Sequence, residues 1–145
     1  MFVQAQVCTP DVNSCAFYVC QEKQQPCGPR GYPLGFGFKF CQIFLDTEQT
    51  YSVDAHAWLR RVRVCLMDSM NELSENGPRS CKQIKDEGFR SHLGCYVDTG
   101  FCELSFADQW VISWSMRTSF VHPEVIRDGV AVMQACSSRP NTSYR

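Results

Sequence analysis

Residues 54–73 read DAHAWLRRVRVCLMDSMNEL and carry the clearest helical pattern in the chain. Apolar side chains recur there at steps of three and four residues, while most charged side chains fall elsewhere on the helical circle. The apolar stripe consists of Trp58, Val62, Cys65, Leu66, Met70 and Leu73. Asp54 stands where a helix cap is favoured, and the turn-forming residues 75–78, ENGP, follow the last apolar position. This stretch therefore predicts a long amphipathic helix.

Five further segments have shorter helical patterns. They are residues 15–20, with Asp11 or Asn13 as the cap; 38–50; 80–96, capped by Ser80; 105–116, starting at Ser105; and 123–136, with Pro123 in the first turn. Gly88 and Gly94 weaken the third of these by about 1 kcal/mol each relative to alanine. Residues 111–114 also suit a short strand. Because no hairpin signal is present, we expect an all-α, disulfide-crosslinked domain that contains an irregular Gly/Pro-rich loop near its N-terminus, over residues 26–35.

Composition limits the class of protein. With 145 residues, of which 44% are hydrophobic and 20% charged, the chain suits one domain with one core. No linker or repeat divides it, so we assign residues 1–7 to an N-terminal extension, 8–136 to a cysteine-rich helical domain and 137–145 to a flexible tail. A formal net charge of −1 provides no general attraction for nucleic acid, and no apolar run is long enough to span a membrane.

The ten cysteines predict an oxidising compartment. Their spacing lacks the two matching close pairs typical of zinc sites, so we interpret them as disulfides and the protein as secreted. Residues 1–7 are too short for a secretory leader, which suggests a mature chain with an added start methionine. Spacing alone leaves about 945 pairings of ten cysteines open.

No catalytic constellation is apparent. His56 and His122 belong to no metal motif, and the Gly-x-Ser-x-Gly nucleophile pattern is absent. Residues 27–31, CGPRG, resemble the calcium loop of secreted phospholipases, but FCQ stands at 40–42 where those enzymes need a His-Asp pair. Residues 35–37, GFG, lack the context of a nucleotide loop. We therefore expect neither catalysis nor a metal or other cofactor.

Binding is the remaining role, and several basic side chains are candidates for it. Arg60, Arg61 and Arg63, with Arg79, Lys82 and Lys85, suit either a patch for sulfated glycans or a solvated helix face. The candidate binding surface combines the arginines with the Gly/Pro-rich loop and comprises Arg30, Tyr32, Leu34, Arg60, Arg61 and Arg63. We expect Trp58, Trp110 and Trp114 to lie in the core. Asn141, in Asn-Thr-Ser, is an N-glycosylation acceptor.

The cysteine string resembles that of the stanniocalcins, secreted disulfide-rich glycoprotein hormones. The similarity is strongest from Cys41 to Cys102, where successive gaps of 23, 15, 13 and 6 residues follow the family pattern. Residues 41–44, CQIF, then Trp58 before Cys65, and residues 95–96, CY, look like family positions. Residues 15–20, CAFYVC, look like the family's Cys-x4-Cys segment.

The resemblance implies a helical fold without enzymatic activity and a specific disulfide pairing. The implied pairs are Cys8–Cys20, Cys15–Cys41, Cys27–Cys81, Cys65–Cys95 and Cys102–Cys136. By analogy it also implies a role in mineral homeostasis or in regulating a secreted protease. The chain departs from the family in its longer segment between Cys27 and Cys41 and in having no Asn within residues 21–26. It also lacks the eleventh cysteine with which vertebrate relatives link two subunits, so only a noncovalent homodimer stays open.

We therefore expect a secreted, non-enzymatic glycoprotein, hormone-like or regulatory, that binds an extracellular receptor or a secreted protease. One alternative is a cysteine-rich receptor or coreceptor module that binds a growth factor. A second is a secreted calcium-dependent phospholipase-like or toxin protein.

Overall fold

The computed structural model describes residues 7–74 and 79–139. Six α-helices occupy most of this part of the chain, and it contains no strand. They are α1 (Ala16–Gln24), α2 (Lys39–Thr47), α3 (Val53–Ser74), α4 (Cys81–Asp98), α5 (Phe106–Ser115) and α6 (Pro123–Ser137). The prediction of an all-α fold is confirmed, and residues 111–114 are helical.

The Gly/Pro-rich segment is less irregular than its composition indicates. Residues 25–31 lack helical structure, but a π-helix (Tyr32–Phe38) leads directly into α2. Pro33 lies in the first turn of this π-helix, where its missing amide hydrogen has no helical acceptor to lose. Three 3₁₀-helices, Glu48–Thr50, Phe101–Glu103 and Arg117–Val121, complete the helical elements.

Two of the predicted caps are confirmed. At α4, the Ser80 hydroxyl accepts a hydrogen bond from the Gln83 amide (3.1 Å), and the Gln83 side chain accepts one from the Ser80 amide (2.8 Å). At α5, the Ser105 hydroxyl accepts from the Asp108 amide (3.1 Å). These bonds satisfy amide groups that have no partner within the helix, and so they define where both helices begin.

The other two predicted caps are wrong. Ser52 rather than Asp54 caps α3, because its hydroxyl accepts from the Ala55 amide at 3.1 Å. Neither Asp11 nor Asn13 caps α1: that helix begins at Ala16, and the Asp11 carboxylate accepts from the Asn13 amide instead. Several short polar side chains precede each of these helices, and the sequence pattern did not distinguish among them.

The core is aromatic and lies between α3 and α4. The Trp58 side chain is fully buried, with its ring centroid 5.1 Å from that of Tyr96 and 5.2 Å from that of Phe101. Phe36 of the π-helix joins the same core, its ring 4.8 Å from both Phe40 and Phe89. Helix α4 packs against α3 on one side and α6 on another, which makes it the centre of the fold.

Glycine at position 88 allows the π-helix to approach α4 closely. A Cβ atom at this position would lie 2.3 Å from the Tyr32 ring, so only the bare glycine backbone leaves room for it. Packing therefore explains why a helix-weakening glycine occurs at position 88 of α4. Gly94, in the same helix, has no comparable neighbour.

All ten cysteines form disulfides. The pairs are Cys8–Cys20, Cys15–Cys41, Cys27–Cys81, Cys65–Cys95 and Cys102–Cys136. These are the five pairs that the resemblance to stanniocalcins implies. Four of them connect the segments from residue 8 to α4, while Cys102–Cys136 alone connects the end of α6 to the 3₁₀-helix Phe101–Glu103.

The C-terminal helix ends one residue beyond the predicted segment 123–136. Helix α6 extends to Ser137, and Arg139 pairs with Glu103, so the first residues assigned to the tail contact the folded body. Asn141, the predicted glycosylation acceptor, lies outside the described residues. Within residues 7–74 and 79–139, no helix has the length and apolar composition to cross a bilayer.

Candidate interaction surface

The binding surface predicted from the sequence does not exist as one exposed patch. Arg30 and Arg61 are exposed, and Leu34 and Arg60 are half-buried. Tyr32 and Arg63, however, are only 6% and 4% exposed. The prediction was therefore wrong for these two side chains, which belong to the interior.

Tyr32 is buried because it begins the π-helix rather than lying in a loop. Its ring rests on the backbone of Gly88 and meets Phe89 edge-on at 5.4 Å. Burial raises the pKa of the Tyr32 hydroxyl, which keeps it neutral. Tyr32 thus joins the π-helix to α4.

Arg63 is buried because it shares a face of α3 with Leu59 and Met67, at steps of four residues. Its Nη2 donates to the Glu48 carboxylate (3.0 Å) and to the backbone carbonyl of Val12 (3.1 Å). A buried charge with these partners ties the N-terminal segment and the 3₁₀-helix Glu48–Thr50 to α3. The apolar residues four before and four after Arg63 were the sequence signal for its burial.

The remaining basic residues are mostly occupied by other contacts. Arg61 Nε donates to the Thr99 carbonyl at 3.1 Å, and Arg60 reaches the Asn13 side chain at 3.4 Å. Lys82 pairs with Asp86, and Lys85 pairs with Glu124 at 3.2 Å. Hydrogen-bonded and ion-paired basic side chains of this kind are typical of a solvated helix face, and binding of sulfated glycans stays a prediction.

The residues considered for catalysis are also engaged in the fold. His56 Nε2 lies 3.5 Å from the Glu48 carboxylate, and the ring of the exposed His122 has its centroid 6.2 Å from that of Phe36. The amides of Cys27 and Gly28, in the segment that resembles a calcium loop, both donate to the Glu22 carboxylate (3.0 and 2.7 Å). In the described part of the chain, no three His, Cys, Asp or Glu side chains are grouped so as to hold a metal ion.

The exposed apolar side chains instead gather on the C-terminal third of the chain. Trp110 and Trp114 were expected in the core, but each is 53% exposed. Their rings stack obliquely at 5.3 Å, and the Arg117 guanidinium lies 4.8 Å from the Trp114 ring. We call the following set the C-terminal apolar surface: Phe106, Trp110, Val111, Trp114, Phe120, Val121, Ile126, Val130 and Met133, all at least 45% exposed.

Helix α6 carries two apolar stripes, and only one of them faces the core. Val125 and Val132, seven residues apart, are buried. Ile126, Val130 and Met133 form the second stripe, about a third of a turn away, and are about half exposed. Together with Phe120 this second stripe lines an open groove along α6. The sequence predicted α6 without distinguishing the two stripes, because it showed only that the helix is apolar.

A cavity of about 200 Å³ lies beside this groove, enclosed by α4, α5 and α6. Most of its lining is apolar: Phe36, Phe89, Tyr96, Phe101, Ile112, Met116, Phe120, Val125, Val132 and Met133. His92, Ser113, Asp128 and Gly129 complete it. Phe120, Val125, Gly129 and Met133 line both the cavity and the groove, so the cavity opens at the C-terminal apolar surface.

Two polar groups in the cavity wall are electrostatically related. His92 is 7% exposed, and burial lowers the pKa of its imidazole, an effect that the nearby carbonyls of Gly88 and Phe89 and the Asp128 carboxylate partly offset. The sequence showed no motif that would select His92 or Asp128. The only sequence signal for the burial of His92 and Asp128 was that each lies about one helical turn from apolar residues of its own helix, α4 or α6.

The chain matches no protein-family model, and no curated protein or solved structure is significantly similar to it.

Proposed function

We propose that this chain is a secreted, non-enzymatic regulatory protein that binds another extracellular protein through the C-terminal apolar surface. The observation that carries this proposal is the exposure of Trp110, Trp114, Ile126, Val130 and Met133 on a domain whose other helices bury nearly all their large apolar residues. Large exposed apolar patches on soluble domains mark interaction sites more often than they mark ordinary surface.

The composition of this surface is that of a protein interface. Tryptophan, methionine and arginine are enriched in interface centres, and Trp110, Trp114, Met133 and Arg117 all lie here. The tryptophan pair presents large rings at a low entropic cost, while the groove along α6 accepts apolar side chains from a partner. The partner is therefore expected to present a complementary apolar helix or loop.

Residence outside the cytosol is supported by the five disulfides. Paired cysteines at this density persist in oxidising compartments, and they stabilise a small helical domain by constraining its unfolded state. A crosslinked core is well suited to hold the fold unchanged while one apolar face stays exposed to solvent. Glycosylation at Asn141 belongs to the same proposal.

A relationship to the stanniocalcins is part of the proposal. The spacing of the cysteines supports it, and so does the agreement between the five disulfides and the implied pairs. A hormone-like role, or regulation of a secreted protease, follows from that relationship by analogy.

Site-directed photo-crosslinking tests the proposed surface. The photoreactive residue p-benzoyl-phenylalanine is placed at Ile126 or Val130 and, as a control, at the exposed Asp68 on α3. The labelled protein is added to live tissue, and crosslinked extracellular proteins are identified by mass spectrometry. We expect a discrete crosslinked partner from the two α6 positions and none from Asp68.

Direct binding to the purified partner completes the test. Ile126→Ser with Val130→Ser should weaken the affinity by about tenfold or more, as loss of central apolar contacts does, while Val53→Ser, at an exposed apolar position on α3, should leave it unchanged. Crosslinks that arise equally from Asp68, or unchanged affinity in the double variant, would contradict the proposal. Sedimentation velocity identifies a second copy of the chain as the occupant if the double variant alone is monomeric.

A further inference from the structure

The cavity between α4, α5 and α6 has a wall that is almost entirely apolar and largely aromatic. Its volume of about 200 Å³ exceeds the roughly 150 Å³ in which an apolar protein cavity accommodates benzene. It is therefore large enough for a single aromatic ring with a short side chain. Phe89, Tyr96 and Phe36 offer ring faces and edges to such a group.

Most polar atoms in the wall already have partners. The Tyr96 hydroxyl donates to the Met116 sulfur at 3.2 Å, and the Ser113 hydroxyl donates to the Gln109 carbonyl at 2.8 Å. The Arg127 guanidinium donates a hydrogen bond to one carboxylate oxygen of Asp128, Oδ1, at 3.3 Å. The Tyr96 and Ser113 hydroxyls have thus used their donor hydrogens and can only accept further hydrogen bonds.

Two buried polar atoms in the wall make no hydrogen bond. They are Asp128 Oδ2, the second oxygen of the carboxylate, and Nδ1 of His92, a side chain more than nine-tenths buried. Buried polar atoms are nearly always hydrogen-bonded, and the Asp128 carboxylate oxygen can only accept, so it lacks a donor. The negative charge of Asp128 favours a cationic donor, and an ammonium group provides three N–H donors on a single atom.

We propose that this cavity binds a small hydrophobic amine, with its ammonium group on Asp128 Oδ2 and its aromatic or branched aliphatic part against Phe89, Tyr96 and Phe36. An uncharged hydrocarbon would leave both polar atoms without a partner, and an anion would be repelled by the carboxylate. The His92 ring forms one side of the amine pocket. The site adjoins the protein-binding groove, and its mouth opens beside Gly129, which lines both.

Calorimetric titration of the full disulfide-bonded chain with 2-phenylethylamine tests the proposal. We expect saturable one-to-one binding in the micromolar to millimolar range typical of such small ligands. Two compounds of the same shape serve as comparisons. The uncharged 2-phenylethanol should bind about tenfold more weakly or worse, because it lacks the charge-assisted contact, and phenylacetate should not bind.

Two variants separate the site from other places where an aromatic amine could attach. Asp128→Asn keeps the shape of the side chain but removes the charge, and it should weaken binding of 2-phenylethylamine by about tenfold, with little change for 2-phenylethanol. Gly129→Leu places a side chain in open space at the cavity mouth, since a Cβ there meets no atom within 4 Å, and it should abolish binding of both compounds. Gly94→Leu, the same change in an open position of α4, should bind as the unmodified chain does.

The proposal is overturned by any of three results: no saturable binding of the amine, equal affinity for the amine and the alcohol, or unchanged binding in Gly129→Leu. The last result would place the amine elsewhere, for instance on the exposed tryptophan pair. None of these three results changes what the photo-crosslinking experiment shows, so the amine site and the protein-binding surface are tested independently.

Discussion

The helices α1–α4 and the pair α5–α6 are both apolar on at least one face, yet they use their apolar residues in opposite ways. Among the described side chains of α1–α4, only Val53 and Leu93 are large, apolar and exposed. Between residues 106 and 133 nine such side chains are exposed. The amount of apolar sequence is therefore a poor guide to the amount of core, and the excess in α5–α6 is available for binding.

The crosslinks follow the same division. Four disulfides connect the segments up to α4, and one connects α6 to the rest of the molecule. Helix α5 is attached by Ile112 and, directly after its last residue, by Met116 in the core, and by polar contacts such as the 2.6 Å bond between the Ser115 and Tyr51 hydroxyls. The first region is consequently expected to be the more stable, and the second the more responsive to a partner.

The largest contrast is expected between two tryptophans. Trp58→Ala should lower the free energy of unfolding by about 3–5 kcal/mol, because it empties a fully buried site between α3 and α4. Trp114→Ala should cost about 1 kcal/mol or less, since that ring is half exposed and loses mainly its contacts with Trp110 and Arg117. Guanidinium denaturation with the disulfides intact measures both. If both variants lost the same free energy of unfolding, the Trp114 side chain would have to be buried against protein in solution.

Removal of single disulfides should locate the difference in stability along the chain. Replacing Cys102 and Cys136 with serine opens a loop with a sequence separation of 34 and should cost about 3–4 kcal/mol. Amide hydrogen exchange should then accelerate mainly in α6. The matched control replaces Cys65 and Cys95, with a separation of 30, and should accelerate exchange in α3 and α4. A uniform acceleration in both variants would mean that the two regions unfold as one unit.

Two glycines in α4 provide a smaller contrast within the first region. Gly88→Ala should destabilise the fold by about 1–3 kcal/mol, because the added Cβ would overlap the Tyr32 ring. Gly94→Ala should stabilise it by about 0.5–1 kcal/mol, since the position is open and alanine favours the helix. Thermal unfolding of the two variants provides the comparison. Stabilisation by Gly88→Ala would disprove the close packing of the π-helix against α4.

The smallest expected effect is a dependence of stability on pH at the boundary between the regions. Burial lowers the pKa of His92 below its ordinary value of 6.5, so the folded protein resists protonating this ring. Below pH 6.5 the unfolded chain binds a proton there that the folded chain does not, and stability falls as the pH decreases towards the lowered pKa. His92→Gln should flatten this slope in urea titrations at a series of pH values. If the slope of stability against pH were unchanged in His92→Gln, the slope would arise from carboxylates rather than from His92.

The sequence predicted several elements because short-range chemistry decides them. Ser80 and Ser105 cap their helices through hydrogen bonds that span three residues, and Pro123 starts α6 where a missing amide hydrogen costs little. Positions 32 and 63 were misjudged for the opposite reason. A tyrosine among turn formers and an arginine in a charged stretch both suggest surface, and only packing across the molecule buries them.

Taken alone, the amino-acid sequence determined that the described part of the chain is helical and where most of its helices begin. These properties depend on contacts between residues three or four apart, which the order of residues contains directly. Tertiary structure decided which apolar stripe of α6 faces inward, that Trp110 and Trp114 remain outside, and that His92 and Asp128 line one cavity. Those outcomes depend on how much surface the neighbouring helices can cover, a quantity that no local pattern encodes.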